Sequence, residues 1–258
     1  IFEADFQDCS HGFRPNKSAS GAIKSIKEHL IAGKTEVLDA DLSAYFDTIP
    51  HNKLYAILRL RISDKRITKL IDKILKVPVK EPDGRLTGGK KKKEGVPQGG
   101  IISPLLANIY LNLFDRVITN ETGVFHKAGI SIVRYADDWV LMGKELSSSV
   151  ITSVKDFLTR MGLTVNEDKT RQVDVRDTAI HFLGFELRYD KDLFGRGTKY
   201  WNIKPSRKSL NKIRESIRQA THGYLHYRVI DFVERLNQII RGWLNYYDIT
   251  STSYMRKA

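Results

Sequence analysis

The sequence predicts an α+β fold: a small antiparallel sheet packed with helices, followed by a helical domain with a basic outer face. Three observations carry that expectation. The apolar runs 130–134 and 139–143, bounded by glycines, flank Tyr135-Ala136-Asp137-Asp138, the pattern of two strands joined by a tight turn. Apolar residues recur every three or four positions through 54–60, 67–75 and 150–161, the spacing of amphipathic helices. Beyond Gly195-Arg196-Gly197 the chain turns basic: residues 196–258 hold 13 Lys/Arg against 4 Asp/Glu, +9 of the total charge of +13.

With 258 residues, 41% of them hydrophobic, the chain can bury a sizeable core and hold two domains. The net charge of +13 implies a polyanionic partner, most simply nucleic acid. The single cysteine, Cys9, excludes an internal disulfide and fits a reducing compartment. Neither a basic-apolar-small leader nor an apolar run of about 18 residues is present, which argues for a cytoplasmic protein without a membrane partner.

In chain order, Gly12-Phe13-Arg14-Pro15-Asn16-Lys17-Ser18 reads as a loop. Ser18 or Ser20 caps the helix that follows through Ile23, Ile26 and Leu30. Residues 37–47 form a short strand, a turn and then a helix. Asp39 and Asp41 share one face of the strand, since side chains there repeat every two residues. Asp47 precedes Pro50, which sits in a first helical turn, and reads as a cap or hydrogen-bond anchor. After the helices at 54–60 and 67–75, Pro82-Asp83-Gly84 signals a hairpin turn. Lys90, Lys91, Lys92 and Lys93 are either a solvated loop or phosphate contacts. The glycines of Gly95-Val96-Pro97-Gln98-Gly99-Gly100 let another molecule approach the backbone closely. Ile101-Ile102-Ser103-Pro104 then opens an apolar helix through Leu106, Ile109, Tyr110 and Leu113. Residues 180–187 alternate like a strand, on which His181 is structural because no His/Cys cluster accompanies it. Residues 206–221 form one basic helix, and Val229, Phe232, Leu236, Ile239, Trp243 and Tyr246 trace the stripe of another.

The chemistry is concentrated at the hairpin. Adjacent acids on a turn can be mere solvated turn formers, but here apolar arms hold Asp137 and Asp138 against a packed sheet. Burying like charges so close together costs several kcal/mol unless a cation sits between them. A pair of acids on a rigid hairpin suits Mg²⁺, which takes oxygen ligands and keeps several waters. The strand bearing Asp39 and Asp41 offers a third carboxylate.

With these residues the chain resembles a reverse transcriptase of the bacterial group II intron type. The likeness runs nearly end to end through Gly12-Phe13-Arg14-Pro15, Pro97-Gln98-Gly99-Gly100, Tyr135-Ala136-Asp137-Asp138, Phe182-Leu183-Gly184-Phe185 and Arg241-Gly242-Trp243-Leu244-Asn245-Tyr246-Tyr247. It implies a right-hand polymerase: partial fingers over 1–36, a palm with inserted fingers elements and a primer grip over 37–195, and a truncated, maturase-like helical thumb over 196–258. In the family further fingers segments precede Ile1, so a fragment or a reduced amino end is expected.

The resemblance further implies an RNA-directed DNA polymerase acting on an RNA template, a DNA primer and dNTPs. Two Mg²⁺ ions, replaceable by Mn²⁺, would activate the primer 3′-hydroxyl and stabilise the leaving pyrophosphate. Asp41 and Asp137 are the expected bridging ligands and Asp138 a lesser one. Arg14 lies near the nucleotide or template, unless it merely fixes its own loop. Phe46 lies under the sugar and excludes a 2′-hydroxyl, unless it is core packing. Gln98 and Gly99 flank the nascent base pair, and Lys169 faces the triphosphate as a general acid, unless it is simply solvated. Phe182, Leu183 and Gly184 belong to the hairpin that grips the primer end. The lysines at 90–93, with Arg207, Lys208, Lys212 and Arg214, contact nucleic-acid backbone. Two other readings stand beside this one: a splicing maturase that binds intron RNA, and a CRISPR-associated or defence enzyme on the same core.

Overall fold

In the computed structural model, residues 1–80, 84, 86–89, 91–191, 198–223 and 228–250 are described. They divide into two units, Ile1–Ser18 with Glu36–Gln172 and Ala19–Thr35 with Val173–Ala258.

The helix α1 (Ala19–Ile31) belongs to the second unit. In the first, the strand β1 (Glu36–Ala40) leads through Ala44 to the one-turn helix α2 (Tyr45–Thr48). Two helices follow, α3 (His51–Arg59) and α4 (Lys65–Leu75). Asp64 starts α4 by accepting the Arg66 N–H at 2.7 Å. A two-stranded ribbon, β2 (Val79–Lys80) with β3 (Leu86–Thr87), forms the expected hairpin. Pro82 and Asp83 of its turn signal lie outside the described residues.

Helix α5 (Ser103–Thr119) has Pro104 in its first turn, where a missing N–H costs nothing. A short turn of helix, α6 (Val124–Lys127), precedes the hairpin of β4 (Ser131–Tyr135) and β5 (Asp138–Gly143). Helix α7 (Ser148–Met161) stops at Gly162, which takes a left-handed φ of 84°. With β6 (Arg171–Asp174), within which the units divide, the sheet order is β4-β5-β1-β6. The β4–β5 and β1–β5 pairs are antiparallel.

Packing makes the end of this sheet rigid. Leu106, Ile109, Tyr110 and Phe114 of α5 share one core with Ile132, Trp139 and Leu141, and the Phe114 and Trp139 rings meet edge-on at 5.2 Å. Leu54, Leu58, Ile71, Leu75, Val154 and Leu158 complete it from α3, α4 and α7. Each such buried side chain stabilises by about 1.5–3 kcal/mol. Val140 and Met142, on the other face of β5, are buried too, so the strand is apolar throughout rather than alternating. Only Asp138, its first residue, is exposed.

In the second unit, β7 (Ile180–Phe182), β8 (Phe185–Lys191) and β9 (Lys199–Pro205) form an antiparallel sheet. Residues 180–187 thus form a hairpin, its two strands joined by Leu183 (φ 50°) and Gly184 (φ 79°). Helix α8 (Arg207–Gly223) is capped by the Ser206 hydroxyl, which accepts the Ser209 N–H at 3.2 Å, and packs on α9 (Val229–Tyr246). The stripe of α1, Ala22, Ile23, Ile26 and Leu30, is buried and the helix packs on β9. The expected divisions after residues 36 and 195 thus differ from the compact units. Residues 19–35 and the β7–β9 sheet go with the carboxyl-terminal helices because burial, not sequence adjacency, decides membership. Among the described residues no helix is long and apolar enough to cross a membrane.

Candidate active site

Two backbone devices assemble the site. In the β4–β5 hairpin, Tyr135 pairs with Asp138, leaving Ala136 and Asp137 as a two-residue loop with Ala136 at φ 57°. Asp137 and Asp138 are thereby fixed at the end of packed strands. At the end of β1, Ser43 N–H donates to Thr164 O at 2.9 Å and Asn166 N–H to Asp41 O at 2.8 Å. This pairing delivers Lys169, whose Nζ donates to Asp41 Oδ2 at 2.7 Å.

The electrostatics show that the acids feel one another. Desolvation first, then the charges of Asp137, Asp41 and Asp39, push the Asp138 pKa up to about 6. Desolvation and the Asp41 charge also raise Asp137. The hydrogen bond to Asp41 holds Lys169 above the ordinary lysine range, so its ammonium stays charged. Among the described residues no three acid, His or Cys side chains converge closely enough to hold a metal ion by themselves. Carboxylate oxygens held at a rigid hairpin tip are the donor type that a hard divalent cation takes. Asp39 lies on β1, between β5 and β6 in the sheet, and Asp41 sits just beyond the strand.

Around these groups, Gln98 is exposed and donates to Asp47 Oδ2 at 3.2 Å, so Asp47 serves as the anticipated anchor. The adjoining Gly99 is exposed with φ 80°. Phe46 is half-buried at the edge of the core, edge-on to Tyr45 at 5.5 Å. Lys91 and Lys93 are exposed and Lys92 is half-buried; Lys90 lies outside the described residues. Arg207, Lys208, Lys212 and Arg214 all stand exposed on α8.

Of the two readings of Arg14, the structure shows the loop-fixing one: Nη1 donates to Gln7 O at 2.6 Å and Ser10 O at 2.8 Å, and Nε and Nη2 engage Glu3 at 2.9 and 2.8 Å. With its side chain 6% exposed, it fixes its own loop. Phe182 is 4% exposed, so its ring is core, and only the Leu183-Gly184 turn is accessible. That turn is itself clamped, as Tyr246 Oη donates to Leu183 O at 3.0 Å and Ser209 Oγ to Gly184 O at 2.9 Å.

Sequence reasoning missed Arg134 and Asp115, both fully buried beside the hairpin. The available signal was a charge within each of two apolar runs, the strand 130–134 and the helix after Pro104. Charged side chains are almost never fully buried unless paired.

Two family profiles match the chain: "Reverse transcriptase (RNA-dependent DNA polymerase)" over residues 2–187 and "Group II intron, maturase-specific domain" over residues 199–258. Protein YkfC of Escherichia coli (strain K12) is 35% identical over 231 residues, which cover 76% of this chain and 59% of that protein. Group II intron-encoded protein LtrA of Lactococcus lactis subsp. cremoris is 41% identical over 120 residues, covering 46% of this chain and 19% of that protein. The chain thus spans only part of the length of either relative. Among solved structures, telomerase from Candida tropicalis, in complex with a telomeric RNA fragment, aligns over 92% of this chain and 42% of its own. The TM-score is 0.53 at 15% identity, a likeness of fold.

Proposed function

The chain belongs to the reverse transcriptase (RNA-dependent DNA polymerase) family, and from that premise we propose that it extends a primer 3′-hydroxyl with deoxynucleotides on an RNA template. The observation that carries the proposal is the grouping of Asp137 and Asp138, at a rigid hairpin tip, within electrostatic reach of Asp41 and its partner Lys169.

The family depends on divalent metal ions, and the ion proposed here is Mg²⁺, with Mn²⁺ as its substitute. When bound, it polarises the attacking hydroxyl and neutralises charge on the leaving pyrophosphate. Asp41 and Asp137 are the proposed principal ligands and Asp138 the lesser one. Lys169, kept protonated beside Asp41, is the proposed proton donor to the leaving group. Phe46 discriminates at the sugar, and Gln98, steadied by Asp47, meets the nascent base pair together with Gly99. The Leu183-Gly184 turn is the proposed contact to the primer end.

A second activity is favoured by the match of residues 199–258 to the maturase-specific domain. The exposed α8 cations would there bind the backbone of structured intron RNA as well as a template–primer duplex.

Extension of oligo(dT) on poly(rA), with and without Mg²⁺, tests the polymerase reading. Asp137→Asn should abolish extension while template–primer affinity stays within about twofold, since metal ligands serve chemistry and cations serve affinity. Near-wild-type extension by that variant would overturn the assignment.

A further inference from the structure

Arg134 has no part in the chemistry above, yet every donor it owns is used beside the site. Nε and Nη2 donate to the two oxygens of Asp115 at 2.8 and 2.5 Å. Nη2 also donates to Ser10 Oγ at 2.7 Å, and Nη1 to Asn108 Oδ1 at 2.9 Å. The fifth N–H, on Nη1, reaches the carbonyl of Ala136 at 2.7 Å. A guanidinium has five N–H donors in a fixed plane, and here five acceptors surround it.

The fifth contact is the informative one. Ala136 opens the turn that carries Asp137, and its φ of 57° is a left-handed setting that a residue with a Cβ adopts only when its surroundings hold it there. Gly12 closes on the same turn: a Cβ at position 12 would lie 2.3 Å from Ala136 N. The Gly12 carbonyl accepts from Asn108 Nδ2 at 2.8 Å, so one asparagine ties this loop to the guanidinium. The main chain of Arg134 is locked as well, its N–H donating to Cys9 O and its carbonyl accepting from His11 N–H, both at 2.8 Å. Helix α5, residues 9–12 and the turn therefore meet at one side chain.

We propose that Arg134, braced by Asp115, Asn108 and Ser10, is a positioning residue. It holds the Ala136 carbonyl, and with it the left-handed turn, in the setting that aims Asp137 and Asp138 for metal binding. This rests on the assignment of those acids made above. A buried ion pair gives little net stability over an apolar replacement of equal shape. What the apolar replacement cannot supply is the bond to Ala136. A lysine at 134 could pair with Asp115 but has no planar fork, and would leave part of the network unserved.

The test uses the full chain with Arg134→Lys, Asn108→Ala, Ser10→Ala and, as reference, Asp137→Asn. Mn²⁺ binding without substrate is titrated by electron paramagnetic resonance, alongside melting temperature, template–primer affinity and the Mg²⁺ concentration for half-maximal extension. Arg134→Lys and Asn108→Ala should weaken Mn²⁺ binding at least fivefold and raise the Mg²⁺ requirement in parallel, with duplex affinity unchanged. Ser10→Ala should shift both the same way by less. Should Arg134→Lys fail to fold, Asn108→Ala, which leaves the ion pair intact, decides. Wild-type Mn²⁺ affinity in the folded variants, whatever their melting temperature, overturns the proposal. If Asp137→Asn loses Mn²⁺ binding and extension while those variants keep both, only the positioning role falls. If Asp137→Asn itself keeps both, the assignment of the acids falls with it.

Discussion

Neutralising Asp138 should stabilise the protein while impairing its activity, and pH should reveal why. Desolvation and the charges of Asp137, Asp41 and Asp39 carry this carboxyl from 3.8 to about 6. A raised carboxyl pKa means that the folded chain holds the proton more tightly than the unfolded one. The resulting stability is complete below about pH 4 and is lost as pH rises through 6. At pH 8 both states are ionised and the fold carries the whole penalty. A displacement of that size corresponds to about 3 kcal/mol for a fully desolvated group. Asp138 is exposed along part of its surface, and solvent screening reduces the figure to about 1–2 kcal/mol. Asp138→Asn, of equal shape and uncharged, removes the penalty. Without divalent ions at pH 8, the variant should melt roughly 2–6 °C above the wild type. At pH 4 most of that gain should vanish, because the folded carboxyl is then protonated and the unfolded one is close to its own pKa. Saturating Mg²⁺ at pH 8 should raise the melting temperature of the wild type more than that of the variant. Equal melting at pH 8, or the same gain at both pH values, would refute the reasoning.

Lys169→Gln should lower kcat for single-nucleotide addition at least tenfold with duplex affinity unchanged, and an unchanged kcat would reduce Lys169 to a surface partner of Asp41. Replacing Arg207, Lys208, Lys212 and Arg214 by Gln should flatten the log–log salt dependence of duplex binding by up to about one unit per lost phosphate contact. An unaltered slope would show those charges to be only solvated. Phe46→Val should raise kcat/KM for ribonucleotides relative to deoxynucleotides at least tenfold, about 1.4 kcal/mol of lost discrimination. A folded variant with the original sugar preference would make Phe46 a packing residue against Tyr45.

What the sequence determined by itself is what backbone periodicity dictates. Apolar arms around Tyr135-Ala136-Asp137-Asp138 read as a hairpin, and three- and four-residue spacing marked α3, α4 and α7 almost to their ends and the first part of α5. Asp137 and Asp138 stood out as a pair on the hairpin turn, whereas the choice of Asp41 over Asp39 came from the resemblance to reverse transcriptases. At Leu183-Gly184 the buried positions change phase, from Ile180 and Phe182 to Phe185 and Leu187, so the turn there came from the resemblance and not from alternation. Tertiary structure alone decided where each charge finds its partner. Arg14 reads as a phosphate fork or a loop anchor until Glu3 and the carbonyls of Gln7 and Ser10 close around it. Asp41 meets Lys169 across 128 positions because the end of β1 pairs with residues 164–166. Arg134 lies 19 positions from Asp115 and 124 from Ser10. Period and propensity act over one or two turns of chain, whereas burying a charge requires a partner in space, and which residues become neighbours is set by which apolar faces bury each other.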